Sequence, residues 1–379
     1  MPRDPLTLRW RDARVRSLAM ALGIAAALLL PLSTVAARHA SAARATTPRR
    51  VVGYVPAWER GKGYQPDQID FRVVNTVAHF SVAPLPDGTL APPTWGPFPD
   101  PALVTAAHAA GAAIVLVVGD DRPQTAQSFA AVVQPALRPA FVAAVVAAVA
   151  ADGYDGVDLD WEFPQSAGQR DGLSALVAAL RTALGPGRTL SLSLPASAFW
   201  GDWFDVGLLT PNVDWFGVMT YALSGPSWDE YADNNAALFS GRDGEASADA
   251  AVHYYRSRGV PPEKLLVGLP FFGQRFDSVA ALHAPLTDAA GTTIAYPDVL
   301  ALIAAGWTEQ WDTAAEVPFL TAPAADGLVS LVSYDDPRSI AAKCAYVRSE
   351  ALGGALIWYV GQDRVDGGQP LLTAAGACR

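Results

Sequence analysis

The chain has 379 residues, a formal net charge of −10 and a hydrophobic content of 51%. This acidic balance argues against partners that are nucleic acids or anionic membrane surfaces, and it suits a neutral polymer. Two cysteines and five histidines without metal-ligand spacing argue against a zinc site, so we expect neither a metal nor a cofactor.

The N-terminus has the pattern of a secretory signal peptide, because arginines precede an apolar run over 18–32 and small residues follow it. We predict a signal peptide and linker over 1–45, with cleavage after residue 42 or 45, and a secreted chain. A single domain over 46–379 would remain, and we expect it to be a monomer without membrane contact. An uncleaved membrane anchor is the alternative, although the apolar run is short for a bilayer span.

Short apolar runs alternate with alanine-rich stretches of helical spacing, which predicts βα units around a parallel sheet. The expected strands are 51–55, 73–82, 113–118, 153–162, 189–195, 213–221, 264–272 and 355–359. The expected helices are 101–110, 126–151, 169–184, 246–258, 337–352 and 369–378. Eight strands close a barrel, whereas an open doubly wound sheet has fewer strands and a glycine-rich first turn. The sequence therefore predicts an α/β fold, the (β/α)8 TIM barrel.

Two features interrupt or close this pattern. The segment 274–329 departs from the βα rhythm, and we predict a short compact insertion on the catalytic rim between the seventh and eighth strands. Cys344 and Cys378 would meet an oxidising compartment after export, which favours a disulfide between the last two helices. Two unpaired buried thiols are the alternative.

Acidic residues stand at every second position of one expected strand. Asp158, Asp160 and Glu162 therefore share one face, while apolar residues occupy the other. Barrel strands are normally apolar on both faces, so function is the usual reason for this burial of acids. Crowded carboxyls cannot all ionise, and we predict a raised pKa and a proton-donor role for Glu162 at the C-terminal mouth. A calcium loop is the alternative, but it needs glycine and polar spacers.

The stretch DGVDLDWE resembles the D-G-x-D-x-D-x-E signature of glycoside hydrolase family 18, the chitinases and chitinase-like proteins. VVGYVPAW, VDWFGVMTYAL, KLLVGLPFFGQRF and the stretch VSYDDPRSIAAKCAYVRSEALGGALIWYVGQD are similar to the family in the same order. The resemblance implies retaining cleavage of β-1,4 linkages in N-acetylglucosamine polymers, chitin or chitooligosaccharides. It also implies substrate-assisted catalysis, in which the 2-acetamido oxygen of the sugar attacks the anomeric carbon.

The resemblance implies a role for each residue of the catalytic group. Glu162 protonates the leaving group and later activates water, and Asp160 orients the acetamido group. Asp158 holds or shares a proton with Asp160, and Tyr221 donates its hydroxyl to the acetamido oxygen.

Five further residues are candidates for substrate binding. Trp358 matches the tryptophan that forms the floor of the cleavage subsite, and Tyr54 and Met219 match positions that line that pocket. Trp58 and Phe80 are candidates from their positions at strand ends. Packing inside the barrel is the alternative role for each aromatic residue.

Several positions depart from the family pattern. Ala222 stands in place of the aspartate of M-x-Y-D, and 117–120 in place of S-x-G-G. Phe272 replaces a common tyrosine, and Gln274 replaces a common arginine. Peptidoglycan and the N-glycan core are therefore alternative substrates.

Two alternatives lie outside this mechanism. A catalytically silent, glycan-binding barrel would keep the fold, but such proteins commonly lose the terminal glutamate that is present here. A direct-nucleophile or inverting glycosidase would need a second carboxylate, for which Glu59, Asp120 and Asp121 are the candidates.

Overall fold

The computed structural model describes residues 48–120, 122–286 and 290–379. The predicted signal peptide and linker over 1–45 lie outside the described residues. Within the described ranges, no helix combines the length and the apolar character that a membrane crossing requires.

Fourteen strands are present in the described part of the chain. They are β1 (Arg50–Pro56), β2 (Thr76–Pro84), β3 (Leu90–Ala91), β4 (Ala113–Asp120), β5 (Gly156–Trp161), β6 (Thr189–Pro195), β7 (Trp215–Met219), β8 (Leu265–Pro270), β9 (Phe272–Val279), β10 (Ala290–Ala295), β11 (Thr308–Asp312), β12 (Val317–Pro323), β13 (Val329–Ser333) and β14 (Gly354–Trp358).

The helices follow the barrel strands or belong to the connecting loops. They are α1 (Ala57–Gly61), α2 (Pro101–Ala109), α3 (Pro123–Val132), α4 (Arg138–Ala151), α5 (Ala167–Leu184), α6 (Ala198–Gly201), α7 (Val206–Leu209), α8 (Ala248–Ser257), α9 (Tyr296–Ala304), α10 (Pro337–Ser349) and α11 (Pro370–Ala375). Short 3-10 helices cover Pro66–Gln68, Pro262–Lys264, Ala325–Gly327 and Gly376–Cys378.

Eight parallel strands form a closed barrel in the order β1, β2, β4, β5, β6, β7, β8 and β14. The barrel closes because β1 pairs with both β2 and β14, so that Val52 lies opposite Thr76 on one side and Leu356 on the other. Each predicted strand overlaps one barrel strand, and the predicted (β/α)8 barrel is confirmed. The single helix predicted over 126–151 is wrong, because Pro135 lies where the chain breaks it into α3 and α4.

The alternation of side chains along β5 positions the acidic residues. Val157, Leu159 and Trp161 belong to the large apolar core, and the Trp161 ring stacks on Phe129 of α3 with ring centroids 5.3 Å apart. The residues between them face the opposite way, into the barrel. One strand thus anchors the outer core and presents carboxyls to the barrel interior.

A second sheet lies between β8 and β14 in the chain. Its strands are antiparallel, in the order β10, β9, β13, β12 and β11, and helix α9 follows β10. The insertion predicted over 274–329 falls in this place, but the extra sheet begins at Phe272 and ends at Ser333. It is therefore slightly longer than the sequence predicts.

A disulfide joins Cys344 on α10 to Cys378 in the final 3-10 helix, with Cα atoms 4.4 Å apart. Both cysteines are fully buried. The predicted pairing is present, and it fastens the C-terminal end to α10.

Candidate active site

A cleft of about 1190 Å³ opens at the C-terminal ends of the barrel strands. Eight of the predicted site residues line it: Tyr54, Trp58, Phe80, Asp160, Glu162, Met219, Tyr221 and Trp358. The ninth, Asp158, is fully buried beside Asp160 and is not among the lining residues. The structure thus brings together residues from five barrel strands and the loops that follow them.

Asp158 is held by hydroxyl groups from two other strands. Tyr54 donates to its Oδ2 at 2.7 Å, and Ser191 donates to its Oδ1 at 2.6 Å. In the sheet Asp158 lies between Ser191 of β6 and Val117 of β4, so β4 offers no hydroxyl at this register and the support comes from β6 and from Tyr54 of β1. Burial raises the pKa of Asp158 to about 6, against the opposing effect of these hydrogen bonds, of which that from Ser191 is the largest.

Asp160 is the more strongly perturbed acid. Burial raises its pKa well above the usual range, and the charges of Glu162 and Asp158 raise it further. The Ser193 hydroxyl opposes this shift by hydrogen bonding to the Asp160 carboxylate. The Oδ1 atom of Asp160 is buried and has no hydrogen-bond partner among the described residues. The raised pKa favours the protonated form of this acid, and one acceptor oxygen stays available to a ligand.

Glu162 is the first residue after β5, whereas the sequence predicts it as the last residue of the strand. Its side chain is half-buried and lines the cleft. The Glu162–Phe163 peptide bond is cis. The carboxylate raises the pKa of both Asp160 and Tyr221, which places its charge close to both groups. The raised pKa of Glu162 itself stays a prediction.

Tyr221 follows β7 and directs its ring toward the carboxyls. Burial raises its pKa well above the ordinary value, and the charges of Asp160 and Glu162 add to the shift. The ring occupies space that Gly268 leaves free, because a Cβ at Gly268 would lie 2.7 Å from it. The hydroxyl therefore stays protonated and can donate a hydrogen bond in the cleft.

Aromatic rings cover one side of the cleft in mutual contact. The Trp358 ring lies 4.8 Å from Phe80 and 5.7 Å from Tyr54, and Trp58 lies 5.7 Å from Phe80, measured between centroids. Trp95 continues this surface at 6.3 Å from Trp58 and is 44% exposed. Sequence reasoning missed Trp95, although a tryptophan in a proline-rich loop at the rim was a usable signal.

Two of the three other carboxylates considered as nucleophiles are already engaged. Asp120 ends β4, lines the cleft and accepts from Arg122 Nε at 2.7 Å. Glu59 is buried and accepts from Lys62 Nζ at 2.8 Å and from the Tyr359 hydroxyl at 3.1 Å. Asp121 lies outside the described residues.

One group of side chains could hold a metal ion by distance alone. The ligand atoms of Asp233, Glu245 and His283 lie within 4.8 Å of one another. However, His283 bonds through Nδ1 to Asp233 at 2.9 Å and through Nε2 to Asp312 at 3.0 Å. Because both ring nitrogens face carboxylates, they both donate, and the group is an ion-pair cluster. It ties the loop after β7 to the inserted sheet.

Comparison with known proteins places this architecture in a family. The sequence model of the glycosyl hydrolases family 18 matches residues 50–363. A probable endochitinase of Caenorhabditis elegans is 30% identical over 261 residues, which cover 62% of this chain and 41% of that protein. A probable chitinase 2 of Drosophila melanogaster is 29% identical over 274 residues, covering 66% and 56% respectively. The chain thus spans about half the length of these relatives.

Solved structures agree with this placement. The group IV chitinase of Ostrinia furnacalis in complex with allosamidin is 25% identical, with a TM-score of 0.75 and coverage of 86% of this chain and 98% of that chain. A chitinase of Cycas revoluta in complex with four N-acetylglucosamine units is 22% identical, with a TM-score of 0.74 over 87% and 99% of the chains, and it shares the fold. With the family model spanning nearly all of the described barrel, the chain belongs to glycosyl hydrolase family 18.

Proposed function

We propose that this protein is a secreted, retaining glycoside hydrolase that cleaves β-1,4 linkages in chitin or chitooligosaccharides by substrate-assisted catalysis. One observation carries the proposal: a buried pair of aspartates, which belongs to no ion pair among the described residues, lies behind a cleft glutamate. Relatives named as chitinases support the choice of substrate. We further propose that the enzyme acts as a monomer and needs no cofactor.

The first chemical step follows from the positions of the donors. Glu162 gives its proton to the glycosidic oxygen as the bond from that oxygen to the anomeric carbon breaks. The acetamido oxygen forms a new bond to the anomeric carbon, giving an oxazolinium ion. Asp160 Oδ1, which has no hydrogen-bond partner in the described ranges, is available to accept from the acetamido N–H. The Tyr221 hydroxyl donates to the acetamido oxygen and orients it.

The second step reverses the proton transfer. The Glu162 carboxylate takes a proton from water while the water oxygen attacks the anomeric carbon and the oxazolinium ring opens. Two displacements at one carbon retain its configuration. The engagement of Asp120 by Arg122 and of Glu59 by Lys62 supports this route, because neither carboxylate is left to act as a protein nucleophile.

The charges of the cleft favour an uncharged substrate. Its two arginines, Arg122 and Arg242, are paired with Asp120 and Asp233. Because both cations of the described lining are paired, the cleft offers no spare positive charge to attract the carboxylates of peptidoglycan. The aromatic side of the cleft suits the apolar faces of sugar rings. We therefore favour chitin over peptidoglycan and over the N-glycan core.

The proposal is tested by a product profile measured by mass spectrometry over chitin, chitooligosaccharides, peptidoglycan and high-mannose glycoprotein. We expect N-acetylglucosamine oligomers from the first two, and inhibition by a thiazoline mimic of the oxazolinium ion. Hydrolysis of a plain glucoside would favour a direct nucleophile. Binding to chitin without any product would favour the silent, lectin-like alternative.

Secretion is tested separately, on the full chain expressed in a host that exports signal-peptide proteins. We expect the protein in the medium with a new N-terminus near residue 43 or 46, as read by N-terminal peptide mass. A membrane-bound product that keeps residues 18–32 would contradict the proposal.

A further inference from the structure

A buried carboxylate lies next to the wall of the cleft without lining it. Glu59 of α1 is 2% exposed, and its Oε1 atom accepts from Lys62 Nζ at 2.8 Å and from the Tyr359 hydroxyl at 3.1 Å. Arg364 Nη2 lies 3.7 Å from the other carboxylate oxygen. The two cations offset part of the cost of burying the negative charge. The third partner, Tyr359, belongs to the lining of the cleft.

Tyr359 stands between two cavities. Its side chain lines the cleft and also a second cavity of about 460 Å³, whose lining includes Glu59, Lys62 and Arg364. Burial raises the pKa of Tyr359, and hydrogen bonding from the Trp58 side chain is the largest opposing effect. An indole N–H can only donate, so Trp58 donates to the Tyr359 oxygen. The hydroxyl therefore joins a ring of the cleft to the buried carboxylate.

The backbone around Glu59 is itself held in place. The Glu59 carbonyl accepts from the Tyr64 amide at 2.9 Å. The next residue, Arg60, donates from Nε to the buried Asp100 at 2.6 Å. Since α1 is fixed on this side, the Glu59 carboxylate can hold the Tyr359 hydroxyl in one place before any ligand arrives.

We propose that Glu59 is a positioning residue, which fixes the wall between the two cavities through the Tyr359 hydroxyl and so orients the Trp58 ring for substrate binding. The inference rests on the proposed function and adds to it a group that does not touch the substrate. A hydrogen bond to a carboxylate is stronger than one to a neutral acceptor. The position of the wall should therefore depend on the charge of Glu59.

The test measures kcat and KM separately on a soluble tetramer of N-acetylglucosamine. Tyr359→Phe keeps the ring and removes only the hydroxyl, and we expect KM to rise roughly five-fold, as for one lost hydrogen bond. The value of kcat should stay nearly unchanged, because Glu162 and Asp160 are untouched. Glu59→Ala should raise KM by a similar factor, and Glu59→Gln, which keeps an acceptor oxygen, should raise it less.

The double variant Glu59→Ala with Tyr359→Phe shows whether the two residues act together. Both changes remove the same link, so the KM of the double variant should match that of Glu59→Ala. A KM raised by the product of the two single effects would mean that they act independently, and it would overturn the proposal.

The second cavity permits a chemical rescue of Glu59→Ala. Glu59 lines this cavity together with Lys62 and Arg364, so a small carboxylate can take its place between the same cations. Sodium formate should lower the KM of Glu59→Ala several-fold, whereas sodium chloride at the same ionic strength should not. The parent should respond to neither salt. Formate without effect on Glu59→Ala would contradict a role for the carboxylate.

Tyr346→Phe is the matched control. Tyr346 also donates its hydroxyl to a carboxylate, that of Asp249 at 2.9 Å, but it is not among the residues that line the cleft. We expect this variant to have the parental KM. A rise equal to that of Tyr359→Phe would mean that the loss of any such hydroxyl disturbs the cleft, and it would defeat the proposal.

Failure of the proposed function can be told apart from failure of this inference. If the full-length parent releases no product, calorimetry measures its affinity for the same tetramer, and weaker binding by Tyr359→Phe then supports the positioning role without catalysis. Cleavage with an equal KM in the parent, Tyr359→Phe and Glu59→Ala would keep the proposed function and refute the positioning role. Absence of both cleavage and binding would defeat both.

Discussion

Two of the places in which the described chain buries carboxylates surround them in opposite ways. Asp335 is fully buried and accepts from Lys343 Nζ at 2.6 Å through both oxygens. Asp158 and Asp160 are also buried, but no ion pair among the described residues includes either of them. The pKa of Asp335 is raised by burial and held down by Lys343, whereas that of Asp160 is raised by burial and by two more carboxyls.

The difference separates a structural arrangement from a reactive one. A buried pair with full hydrogen bonding fixes the junction between β13 and α10, and it leaves nothing for a ligand to bind. A pair of acids supported by hydroxyls has raised pKa values, and among the described residues one of its acceptor oxygens has no partner at the edge of the cleft. Such an arrangement is unfavourable for folding, so its presence indicates chemistry.

Removing Lys343, the cation of the buried pair with Asp335, should have the largest effect on stability. Lys343→Met leaves Asp335 buried with Ser339 as its remaining side-chain donor, and we expect a loss of about 3–5 kcal/mol in the free energy of unfolding. Chemical denaturation measures it. The double variant Asp335→Asn with Lys343→Met should recover most of the loss. A single variant as stable as the parent would show that the pair is dispensable.

Removing Asp160 from the pair that it forms with Asp158 should not lower the free energy of unfolding. The pKa of Asp160 is higher in the folded than in the unfolded chain, so its contribution to stability is present below its ordinary value of 3.8 and is lost as the pH rises. Asp160→Asn should therefore be at least as stable as the parent at neutral pH, although its activity falls. A clear drop in denaturation midpoint at pH 7 would contradict this comparison.

Glu162→Gln tests the cleft glutamate as proton donor. We expect turnover of a chromogenic chitooligosaccharide to fall by roughly a hundred-fold or more, the scale for losing a general acid. Thermal unfolding should change little, because the side chain is only half-buried. Full activity in this variant would exclude the assignment.

Ser193→Ala tests how a hydroxyl group lowers the pKa values of the two buried aspartates. Ser193 Oγ lies 3.3 Å from the Tyr54 hydroxyl, and its hydrogen bonds lower the pKa of both Asp158 and Asp160. Without it both pKa values rise, so the acidic limb of the pH–rate profile should move to higher pH, with a loss of roughly ten-fold or less in kcat. Ser191→Ala, which raises the pKa of Asp158 alone, is the comparison: a limb that also moves in this variant belongs to Asp158, and a limb that moves only in Ser193→Ala belongs to Asp160. An unshifted limb for Ser193→Ala would contradict the idea.

Removing His283 from the ion-pair cluster should have the smallest effect on the free energy of unfolding, and this effect should depend on pH. The hydrogen bond to Asp233 raises the pKa of His283 above its ordinary value of 6.5, burial opposes this, and the hydrogen bond to Asp312 adds to it. Arg242 and Glu245 also face this group. Its stabilisation is therefore complete below pH 6.5 and is lost as the pH rises through the raised pKa.

The measurement compares the parent with His283→Gln. We expect the difference in free energy of unfolding to be larger at pH 5 than at pH 9 by roughly 1 kcal/mol. A difference that stays constant with pH would mean that the imidazole acts without its charge.

The barrel and the catalytic strand could be predicted from the sequence because both depend on local periodicity. Acids alternate with Val157, Leu159 and Trp161, and this alternation alone sends them into the barrel. Contacts between distant loops carry no such periodic signal. The ring contact of Trp58 with Trp95 beside the cleft and the hydrogen bonds of His283 to Asp233 and Asp312 depend on how separate loops fold back. The resemblance to the family likewise gave the roles of the acids but not the hydroxyl support from Ser193.

The pairing of β1 with β14 has a consequence for synthesis. Val52 gains its second neighbour only when Leu356 is available, so nearly the whole described chain must emerge before the ring of strands can close. Until then β1 and β8 each present an open edge able to pair with other chains. Contacts between residues so far apart in sequence form slowly. A nascent chain of this protein would thus remain an open sheet until its last strand arrives, and truncation before residue 354 should leave a product prone to aggregation.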